Sequence, residues 1–437
     1  MSSVAGSSSK KRAADTLDSD EGHSSKHKKI HPFFTKPSAS NTSTSSNFVW
    51  QKSLGVHGTC LHGVNLSPPS SSKVAAFDLD GTIIKSSFSS GKNTKAPSWE
   101  WWKSDAVPSR LELLHSEGFS IVIISNQALR SAALVNWKRK IESFAASLPS
   151  TPFRIFAATA KDDYRKPMIG MWKELTRIYQ ENGIDIDKSS SFFVGDAAGR
   201  QYSGGKSDFA STDRKWAINV GLPFHTPEEF FLSRPPHTDV KLEGFNVSSI
   251  PELPYITPTD LPVIPEPRRQ ELVILVGYPC LGKTTLYRRL FEPLGYQHVN
   301  QDNLGTRNKC IKAVEEALKL GHSCVVDNTN RDRQTRKYYV EIARKFGLPI
   351  RCFLFTGSME LAWHNNLYRA YNLPPSVAEK GVVREVLPFL AFTSFKASFE
   401  EPELSEGLSE IRQVNWSFDG SEEEKKHWSM WLQIDGK

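Results

Sequence analysis

The stretch VAAFDLDGT, residues 74–82, decides the fold of the first half of this 437-residue chain. An apolar run leads directly into two carboxylates, a glycine and a threonine, which is typical of a buried strand that ends in a sharp turn. A second stretch, LVILVGYPCLGKTT, residues 272–285, has the same plan with a glycine-rich loop in place of the carboxylates. Both patterns predict a strand followed by a loop that handles phosphate.

Short apolar runs recur beyond these two stretches and alternate with longer helical patterns, which predicts βαβ units and parallel sheets covered on both faces. The predicted strands are residues 74–77, 121–124, 153–157, 192–194 and 217–220 in the first half, and residues 272–276, 323–326 and 350–355 in the second. The fold class is therefore α/β, with two doubly wound parallel-sheet domains. Polar residues that end the strands, here Asp78, Ser125 and Asp196, should meet in one crevice at the carboxyl edge of the first sheet.

Composition divides the chain into four segments. Residues 1–72 are rich in Ser, Thr and Lys with few large apolar residues, which predicts a disordered basic arm. Residues 73–232 and 271–437 carry the two α/β patterns. Eight prolines in residues 233–270 predict a linker with little regular structure.

The overall charge favours an anionic partner. The formal net charge is +7 and the pI is near 9.0, and lysines and arginines that neutralise phosphates release counterions. No apolar stretch approaches the roughly 18 residues that cross a bilayer, and no apolar region of a secretory signal is seen, so we expect an intracellular monomer without a membrane partner. The five cysteines lie far apart without a CxxC pair, which disfavours a disulfide framework and a zinc site.

The arm carries two kinds of short signal. Basic clusters at residues 10–12 and 26–29 are typical of nuclear import, and a solvated charged tail is the alternative. Ile30 stands three positions before the aromatic pair Phe33 and Phe34, a spacing that resembles the sliding-clamp-binding box of replication and repair proteins. His27 occupies the position where that box usually has Gln, and a chance match is the alternative.

The residues that follow the first strand suit phosphoryl transfer. The carboxylate of one of the two residues Asp78 and Asp80 can attack phosphorus to form an aspartyl-phosphate. The carboxylate of the other can donate and then remove a proton. Ser125 closes the second predicted strand, Lys166 begins a helix after a loop, and Asp196 ends a later strand. This order resembles the haloacid dehalogenase superfamily of phosphatases, so a haloacid dehalogenase-like Rossmannoid fold is expected for the first domain.

That resemblance implies a role for each position. Asp78 would be the nucleophile and a metal ligand, and Asp80 the general acid and base whose backbone carbonyl also binds the metal. Ser125 would hydrogen-bond the transferred phosphoryl group and Lys166 would offset the charge that develops on it. Asp196 would complete a Mg²⁺ site, since Mg²⁺ suits hard oxygen ligands.

Residues 277–284 match the phosphate-binding loop G-x-x-x-x-G-K-T and precede a predicted helix that begins at Lys283. Backbone N–H groups of such a loop cradle the phosphates of ATP, Lys283 reaches the β- and γ-phosphates, and the Thr284 hydroxyl approaches Mg²⁺. Arg369 lies on a helix that we interpret as a lid, whose arginine clamps phosphates. The predicted nucleotide-binding residues are Gly277, Tyr278, Pro279, Cys280, Leu281, Gly282, Lys283, Thr284, Thr285 and Arg369.

Two more carboxylates follow strands of the second domain and should face this loop across the sheet edge. Asp302 is the predicted catalytic base that takes a proton from an attacking hydroxyl, whereas Asp327 suits the orientation of metal-bound water or acceptor. Capping of a helix is the alternative for both. The sequence leaves the roles of Asp208, Asp213 and Asp327 open.

From about Val74 onward the chain resembles the bifunctional polynucleotide kinase 3'-phosphatases of DNA end repair. Besides the two stretches already quoted, the matching segments are VGDAAGR (194–200), NVGLPFHTPEEFFL (219–232), DNTNRD (327–332) and RCFLF (351–355). The resemblance implies a P-loop kinase as the second domain. It also implies removal of 3'-phosphate from DNA strand-break ends and phosphorylation of their 5'-hydroxyl ends from ATP, which prepares the ends for ligation.

Two departures from the animal members are informative. Those members begin with a forkhead-associated domain, whereas the arm here is too short and too polar to form that sandwich, as expected of a fungal-type member. Animal members also show Asn-Arg-Asp where this chain has Gln301 before Asp302. Recruitment, and either kinase efficiency or strand preference, should therefore differ.

Three other functions remain open from the sequence. An RNA end-healing enzyme would use the same two chemistries, because neither motif reads the 2'-hydroxyl. A clamp-bound repair scaffold would carry vestigial catalytic halves, although every catalytic position here holds a competent residue. A small-molecule phosphatase fused to a nucleotide kinase would act equally well on free mononucleotides.

Overall fold

The computed structural model describes residues 47–85, 99–129, 131–378 and 384–434, and residues 46–437 form one compact unit. The basic clusters and the predicted clamp-binding residues Ile30, Phe33 and Phe34 lie outside the described residues. Among the residues described, no helix has the length and apolar character needed to cross a membrane.

A mostly parallel sheet organises the first half of the described chain. Its strands are β1 (Phe48–Trp50), β2 (Cys60–Asn65), β3 (Val74–Phe77), β4 (Ser120–Asn126), β5 (Phe153–Ala158), β6 (Phe192–Val194) and β7 (Phe224–His225). Their spatial order is β1-β2-β5-β4-β3-β6-β7; β2 pairs antiparallel with both β1 and β5, and the remaining pairs are parallel. All four residues of β3 are buried, because the strand is central and covered on both faces.

The disordered arm predicted for residues 1–72 extends too far toward the C-terminus. Strands β1 and β2 lie inside residues 1–72, yet β2 pairs along its whole length with β5. Phe48 and Leu61 enter the core of the sheet. Short strands surrounded by Ser, Gly and His do not change the average composition, so the polar signal of the neighbouring residues hid them.

Helices cover both faces of this sheet, and one of them replaces a predicted strand. They are α1 (Val107–Ser116), α2 (Ser131–Ala146), α3 (Gly170–Glu181), α4 (Thr212–Val220) and α5 (Pro227–Leu232). Residues 217–220 were predicted as a strand, but they form the last turn of α4, which ends at Gly221 with φ +83°. Ala217 and Val220, three residues apart, both face the core, so a helical spacing was read as an extended run.

The second sheet is also predominantly parallel. Its strands are β8 (Ile256–Thr257), β9 (Leu272–Val276), β10 (Gln297–Val299), β11 (Cys324–Asp327), β12 (Ile350–Phe355) and β13 (Glu410–Val414), in the order β10-β11-β9-β12-β13-β8. The helices are α6 (Lys283–Leu286), α7 (Gln301–Leu304), α8 (Arg307–Lys319), α9 (Arg333–Lys345), α10 (Met359–Tyr371), α11 (Pro375–Ala378), α12 (Phe389–Ser398) and α13 (Glu422–Trp428). Helix α6 continues as a π-helical turn to Phe291.

The proline-rich linker is attached to the second sheet. It supplies β8, which pairs antiparallel with β13. The buried guanidinium of Arg412 donates to the carbonyls of Pro258, Leu261 and Pro262 at 2.7–3.2 Å. Because proline has no N–H, a proline-rich stretch offers few backbone donors to its own carbonyl groups. These carbonyls therefore need hydrogen-bond donors from other parts of the chain.

The C-terminal segment after α13 joins the two halves. In α4, the side-chain oxygen of Asn219 accepts from Trp431 N, and its amide nitrogen donates to Trp431 O, each at 2.8 Å. Arg165 Nε donates to Ile434 O at 3.2 Å. The two sheets therefore belong to one packed body.

Candidate active sites

The first site is a buried cluster of carboxylates around one lysine, at the carboxyl edge of the first sheet. Asp78 follows β3, and its N–H donates to Val194 O at 2.8 Å. Lys166 Nζ lies 2.5 Å from Asp78 Oδ1 and 2.7 Å from Asp213 Oδ1, and it also donates to Ile124 O at 2.8 Å. The predicted residues Asp78, Ser125, Lys166 and Asp196 line one cavity of about 360 Å³.

Asp80 lies at the same cavity and is held by two neighbours that the sequence did not indicate. Gln127 Nε2 donates to Asp80 Oδ2 at 2.7 Å and to Ser125 Oγ at 2.9 Å. Lys140 Nζ, from α2, donates to Asp80 Oδ1 at 3.2 Å. The carboxylate of Asp80 is therefore fixed from both sides, and Gln127 links it to the predicted phosphoryl-binding hydroxyl of Ser125.

The structure separates two aspartates whose roles the sequence left open. Asp213 is buried, pairs with Lys166 through Oδ1 and accepts the N–H of Ala197 through Oδ2 at 3.0 Å. A Cβ on Gly195 would lie 2.5 Å from Asp213 Oδ2, so only glycine fits there. Asp208 instead accepts from Arg200 Nε at 2.9 Å and braces the loop after β6. The sequence allowed either aspartate to orient Lys166 or to cap a loop, and in the structure Asp213 is the one that contacts Lys166.

The electrostatics of the cluster fit a divalent cation. Carboxylate oxygens of Asp78, Asp196 and Asp213 lie within 4.8 Å of one another. Burial raises the pKa of Asp78 and Asp196, with the neighbouring carboxylates adding to the rise and Lys166 opposing it. Although burial opposes its charge, Asp213 and Asp78 raise the pKa of Lys166. Three carboxylates against one ammonium leave an excess negative charge, which a hard cation would neutralise.

Two large apolar side chains also line this cavity. One of them, Phe209, is 64% exposed. Ile434, from the C-terminal segment, lines it as well. An exposed ring beside a phosphate-sized polar centre suits a base that stacks while its phosphate enters.

The second site is the glycine-rich loop between β9 and α6. Gly282 caps α6 with φ +89°, a conformation that favours glycine. Lys283 Nζ is folded back onto its own loop and donates to Gly277 O at 3.0 Å and Tyr278 O at 2.6 Å. Burial lowers the pKa of Lys283 to about 8, while Asp327 opposes the shift. The hydrogen-bond partners of the Lys283 ammonium group are therefore neutral carbonyls, which phosphate oxygens can replace.

Asp327 is the centre of a hydrogen-bond network at the end of β11. Thr284 Oγ1 donates to Asp327 Oδ2 at 2.6 Å, and His298 Nε2 lies 3.0 Å from the same oxygen. Although burial opposes it, hydrogen bonds from His298 and Thr284 lower the pKa of Asp327. Asp302 lies in α7, where its N–H donates to Asn300 Oδ1 at 2.7 Å. Because the residue is exposed, its carboxylate is accessible to an acceptor.

A cavity of about 210 Å³ beside the loop has the chemistry of a nucleotide site. Its lining includes Cys280, Leu281, Gly282, Thr285 and Arg369 of the predicted set, together with Arg289, Arg384, Trp416 and Phe418, which sequence reasoning missed. Arg369 Nε is buried without a hydrogen-bond partner among the described residues. An unpaired guanidinium nitrogen next to a phosphate-binding loop fits the phosphates of ATP.

The interpretation of the helix around Arg369 as a lid is wrong. Helix α10 buries most of its residues, including Leu361, His364 and Tyr368, in the second core. A helix that loses this much solvent contact is part of the domain, because opening it would expose the apolar surface. Arg369 therefore reaches the nucleotide cavity from a fixed element.

Comparisons with known proteins match both domains. Residues 73–231 match the family model described as polynucleotide kinase 3 phosphatase, and residues 272–309 and 306–402 match the AAA domain model. The bifunctional polynucleotide phosphatase/kinase of Schizosaccharomyces pombe is 37% identical, over 83% of this chain and 83% of that protein. The chain belongs to the bifunctional polynucleotide phosphatase/kinase family.

Narrower relatives share only part of the chain. The polynucleotide 3'-phosphatase of Arabidopsis thaliana is 37% identical and covers 37% of this chain and 24% of that protein. The polynucleotide 3'-phosphatase of Saccharomyces cerevisiae is 27% identical and covers 39% of this chain and 88% of that protein. As a member of the polynucleotide phosphatase/kinase family, the chain joins a phosphatase domain to a kinase domain, and the predicted α/β class with two mostly parallel sheets is confirmed.

Proposed function

We propose that this protein removes 3'-phosphate from DNA strand-break ends and phosphorylates their 5'-hydroxyl ends with ATP, so that the break can be ligated. The observation that carries the proposal is the combination of the Asp78–Lys166–Asp213 cluster with the loop at residues 277–284 in one packed body. Residues 73–232 and 271–437 would be the catalytic domains, joined by residues 233–270.

In the phosphatase domain, Asp78 is the nucleophile. Its carboxylate attacks phosphorus, the bond from phosphorus to the 3' oxygen breaks, and Asp80 donates a proton to that oxygen. Water then attacks the aspartyl-phosphate, Asp80 accepts the proton of the water, and phosphate leaves with the Asp78 carboxylate restored. Ser125 and Lys166 hold the transferred group, and Asp213 keeps Lys166 charged and in place.

In the kinase domain, the reaction moves the γ-phosphoryl group of ATP onto a 5'-hydroxyl. Asp302 takes the hydroxyl proton as the oxygen attacks phosphorus, and ADP is the leaving group. Lys283 exchanges its two backbone carbonyl partners for phosphate oxygens, and Arg369 supplies a second cation. Asp327 orients the Thr284 hydroxyl from the neighbouring strand.

Magnesium completes both sites in this proposal. Asp78, Asp196 and the backbone carbonyl of Asp80 would hold one ion, and Thr284 with Asp327 would hold another. When bound, Mg²⁺ neutralises phosphoryl oxygens and so favours the charge distribution of the transition state. Chelation should therefore stop both activities while the protein stays folded.

The wider setting is also part of the proposal. The basic clusters at residues 10–12 and 26–29 support a nuclear location, and Ile30, Phe33 and Phe34 support recruitment by a sliding clamp. A single chain holds both sets of catalytic residues, which supports action as a monomer. DNA rather than RNA is supported by the resemblance to DNA end-repair enzymes and by the nuclear-type signals.

Two reciprocal substitutions test the assignment of the two sites. Asp78→Ala should abolish 3'-phosphate release and leave 5'-phosphorylation intact, whereas Lys283→Ala should do the reverse, so each variant controls for folding of the other. Both are assayed on one gapped duplex with a 3'-phosphate and a 5'-hydroxyl. Loss of both reactions in either folded variant would contradict the two-site assignment, and faster turnover of a matched RNA strand would contradict the substrate.

A further inference from the structure

A cavity of about 560 Å³ is lined by the linker, the second domain and the C-terminal segment. Its walls come from four places: the linker between Gly244 and Ser249, the start of α10 with its cap Ser358, Phe389 at the start of α12, and the C-terminal residues Gln433 and Ile434. Ile434 also lines the phosphatase cavity, so the two cavities adjoin at this residue. It shares no lining residue with the nucleotide cavity beside the glycine-rich loop.

Three aromatic rings face this cavity in fixed positions. Trp363 packs edge-on against Phe389, with ring centroids 5.1 Å apart, and against Phe392 at 5.3 Å. Phe245 packs against His364 at 5.1 Å. Phe389 is nevertheless 48% exposed, although it lies at the first position of α12. Rings held in place with one accessible face are suited to stacking on a flat ligand.

The cavity wall also contains a buried amide without partners. Gln433 is 7% exposed, and neither Oε1 nor Nε2 has a hydrogen-bond partner among the described residues. A Cβ on Gly244, another lining residue, would lie 3.0 Å from Gln433 Oε1, and Gly244 has φ +109°, so the linker packs closely against this side chain at a position that favours glycine. Leaving both ends of a buried amide unpaired is costly, which indicates that a ligand supplies the missing donor and acceptor.

The charge of the lining residues limits the class of ligand that the cavity can bind. Among the residues that the structure describes, Glu360 is the one charged side chain that lines the cavity, and no Lys or Arg does. Phosphates are therefore disfavoured inside it. A neutral, flat group with adjacent donors and acceptors fits best, because amide side chains pair with the edges of nucleobases while aromatic rings stack on their faces.

We propose that this cavity binds a nucleobase. With polynucleotide as the substrate, an assumption that rests on the proposed function, the base belongs to the strand whose 3' end occupies the phosphatase cavity beyond Ile434. Its phosphates stay outside, and the base enters between Phe389 and Gln433. A free nucleoside has the same chemistry and is the alternative source.

Abasic scanning tests the strand as the source. The full-length protein is assayed for 3'-phosphate release on single-stranded oligonucleotides with a 3'-phosphate, each with an abasic site at one position. One internal position should raise KM roughly tenfold, with kcat little changed. Phe389→Ala should raise KM for the intact strand by a similar factor and abolish sensitivity to that position, whereas the exposed neighbour variant Leu390→Ala should behave like the unaltered protein.

A second arm tests the free nucleoside and the amide. Binding of each nucleoside is followed by tryptophan fluorescence and calorimetry, with Gln433→Leu expected to weaken base binding several-fold without lowering the melting temperature. Nucleoside binding that Gln433→Leu weakens, without any sensitive strand position, would assign the site to free nucleosides. If the intact strand is processed but no position matters and no nucleoside binds, the cavity is not a base site, and the proposed function stands.

Discussion

At the scale of single residues, Gln127 connects Asp80 and Ser125, two proposed catalytic groups of the phosphatase site. It donates to Asp80 at 2.7 Å and to Ser125 at 2.9 Å through the same nitrogen. Gln127→Ala should lower kcat for 3'-phosphate release by about tenfold with little change in KM, because the general acid loses a hydrogen bond that fixes its orientation. Steady-state kinetics on a 3'-phosphorylated oligonucleotide measure this.

The control for this prediction is Gln180→Ala on the exposed side of α3, which should leave kcat unchanged. The 5'-kinase rate of the Gln127→Ala protein serves as an internal check on folding. An unchanged phosphatase kcat in that protein would show that Asp80 needs no support from Gln127.

Lys283 gives the kinase a pH dependence. Burial lowers its pKa to about 8, so the ammonium is present below this pH and is lost as the pH rises through it. ATP needs the charged form, so its Kd should stay level below about pH 7 and rise by several-fold between about pH 8 and pH 9.5. Calorimetry on the full-length protein measures this.

Lys283→Arg keeps its charge across the same range, and any residual ATP binding should therefore lose the pH dependence. A Kd that stays level up to about pH 9.5 in the unaltered protein would mean that the lysine keeps its charge without nucleotide.

Sequence reasoning found the residues that follow strands and missed those that reach a site from elsewhere. Asp78, Ser125 and Asp196 could be predicted to meet because parallel strands end at one edge. The predicted loop residues Cys280, Leu281, Gly282 and Thr285 line the nucleotide cavity for the same reason. Arg384 and Trp416 come from distant segments, and no local pattern marks a side chain whose position depends on how those segments pack.

At the scale of elements, the β1–β2 pair completes the edge of the first sheet. Phe48 and Leu61 are buried there, and each such side chain contributes about 2 kcal/mol. A protein that begins at residue 46 should therefore melt at least about 5 °C higher than one that begins at residue 73, and should retain more phosphatase activity. Thermal denaturation of the two proteins measures the difference.

Kinase activity of the shorter protein is the control, since the second sheet does not contact β1 or β2 through any strand pairing. Equal melting temperatures would mean that the two strands add little to the domain.

Strands with continuous apolar runs were the easiest elements to predict. Residues 74–77 and 272–276 became β3 and β9 with the predicted bounds. The error at residues 217–220 arose because a stretch of only four residues, three of them apolar, fits a helix turn and a short strand equally well. Strand β2 forms because it pairs with β5, and this pairing joins residues that are almost a hundred positions apart in the sequence.

At the scale of the whole molecule, Asn219 holds the C-terminal segment against the phosphatase half. Its side chain makes two hydrogen bonds to the backbone of Trp431 and one to Pro167 O. Asn219→Ala leaves those groups unpaired and should cost about 2 kcal/mol or more at the junction between the halves. Differential scanning calorimetry should then resolve two transitions where the unaltered protein shows one.

Ile218→Ala is the matched control, because Ile218 is exposed on the same helix. A single transition in both variants would mean that other contacts suffice to couple the halves.

Arg412 has a consequence for how a broken strand is handled. By donating to three carbonyl groups within residues 258–262, it fixes this part of the proline-rich stretch against the second sheet. The spacing between the two chemistries is thus built into the scaffold. A strand end that moves from one site to the other must therefore cross the protein surface by itself, because the linker holds no hinge that would carry it.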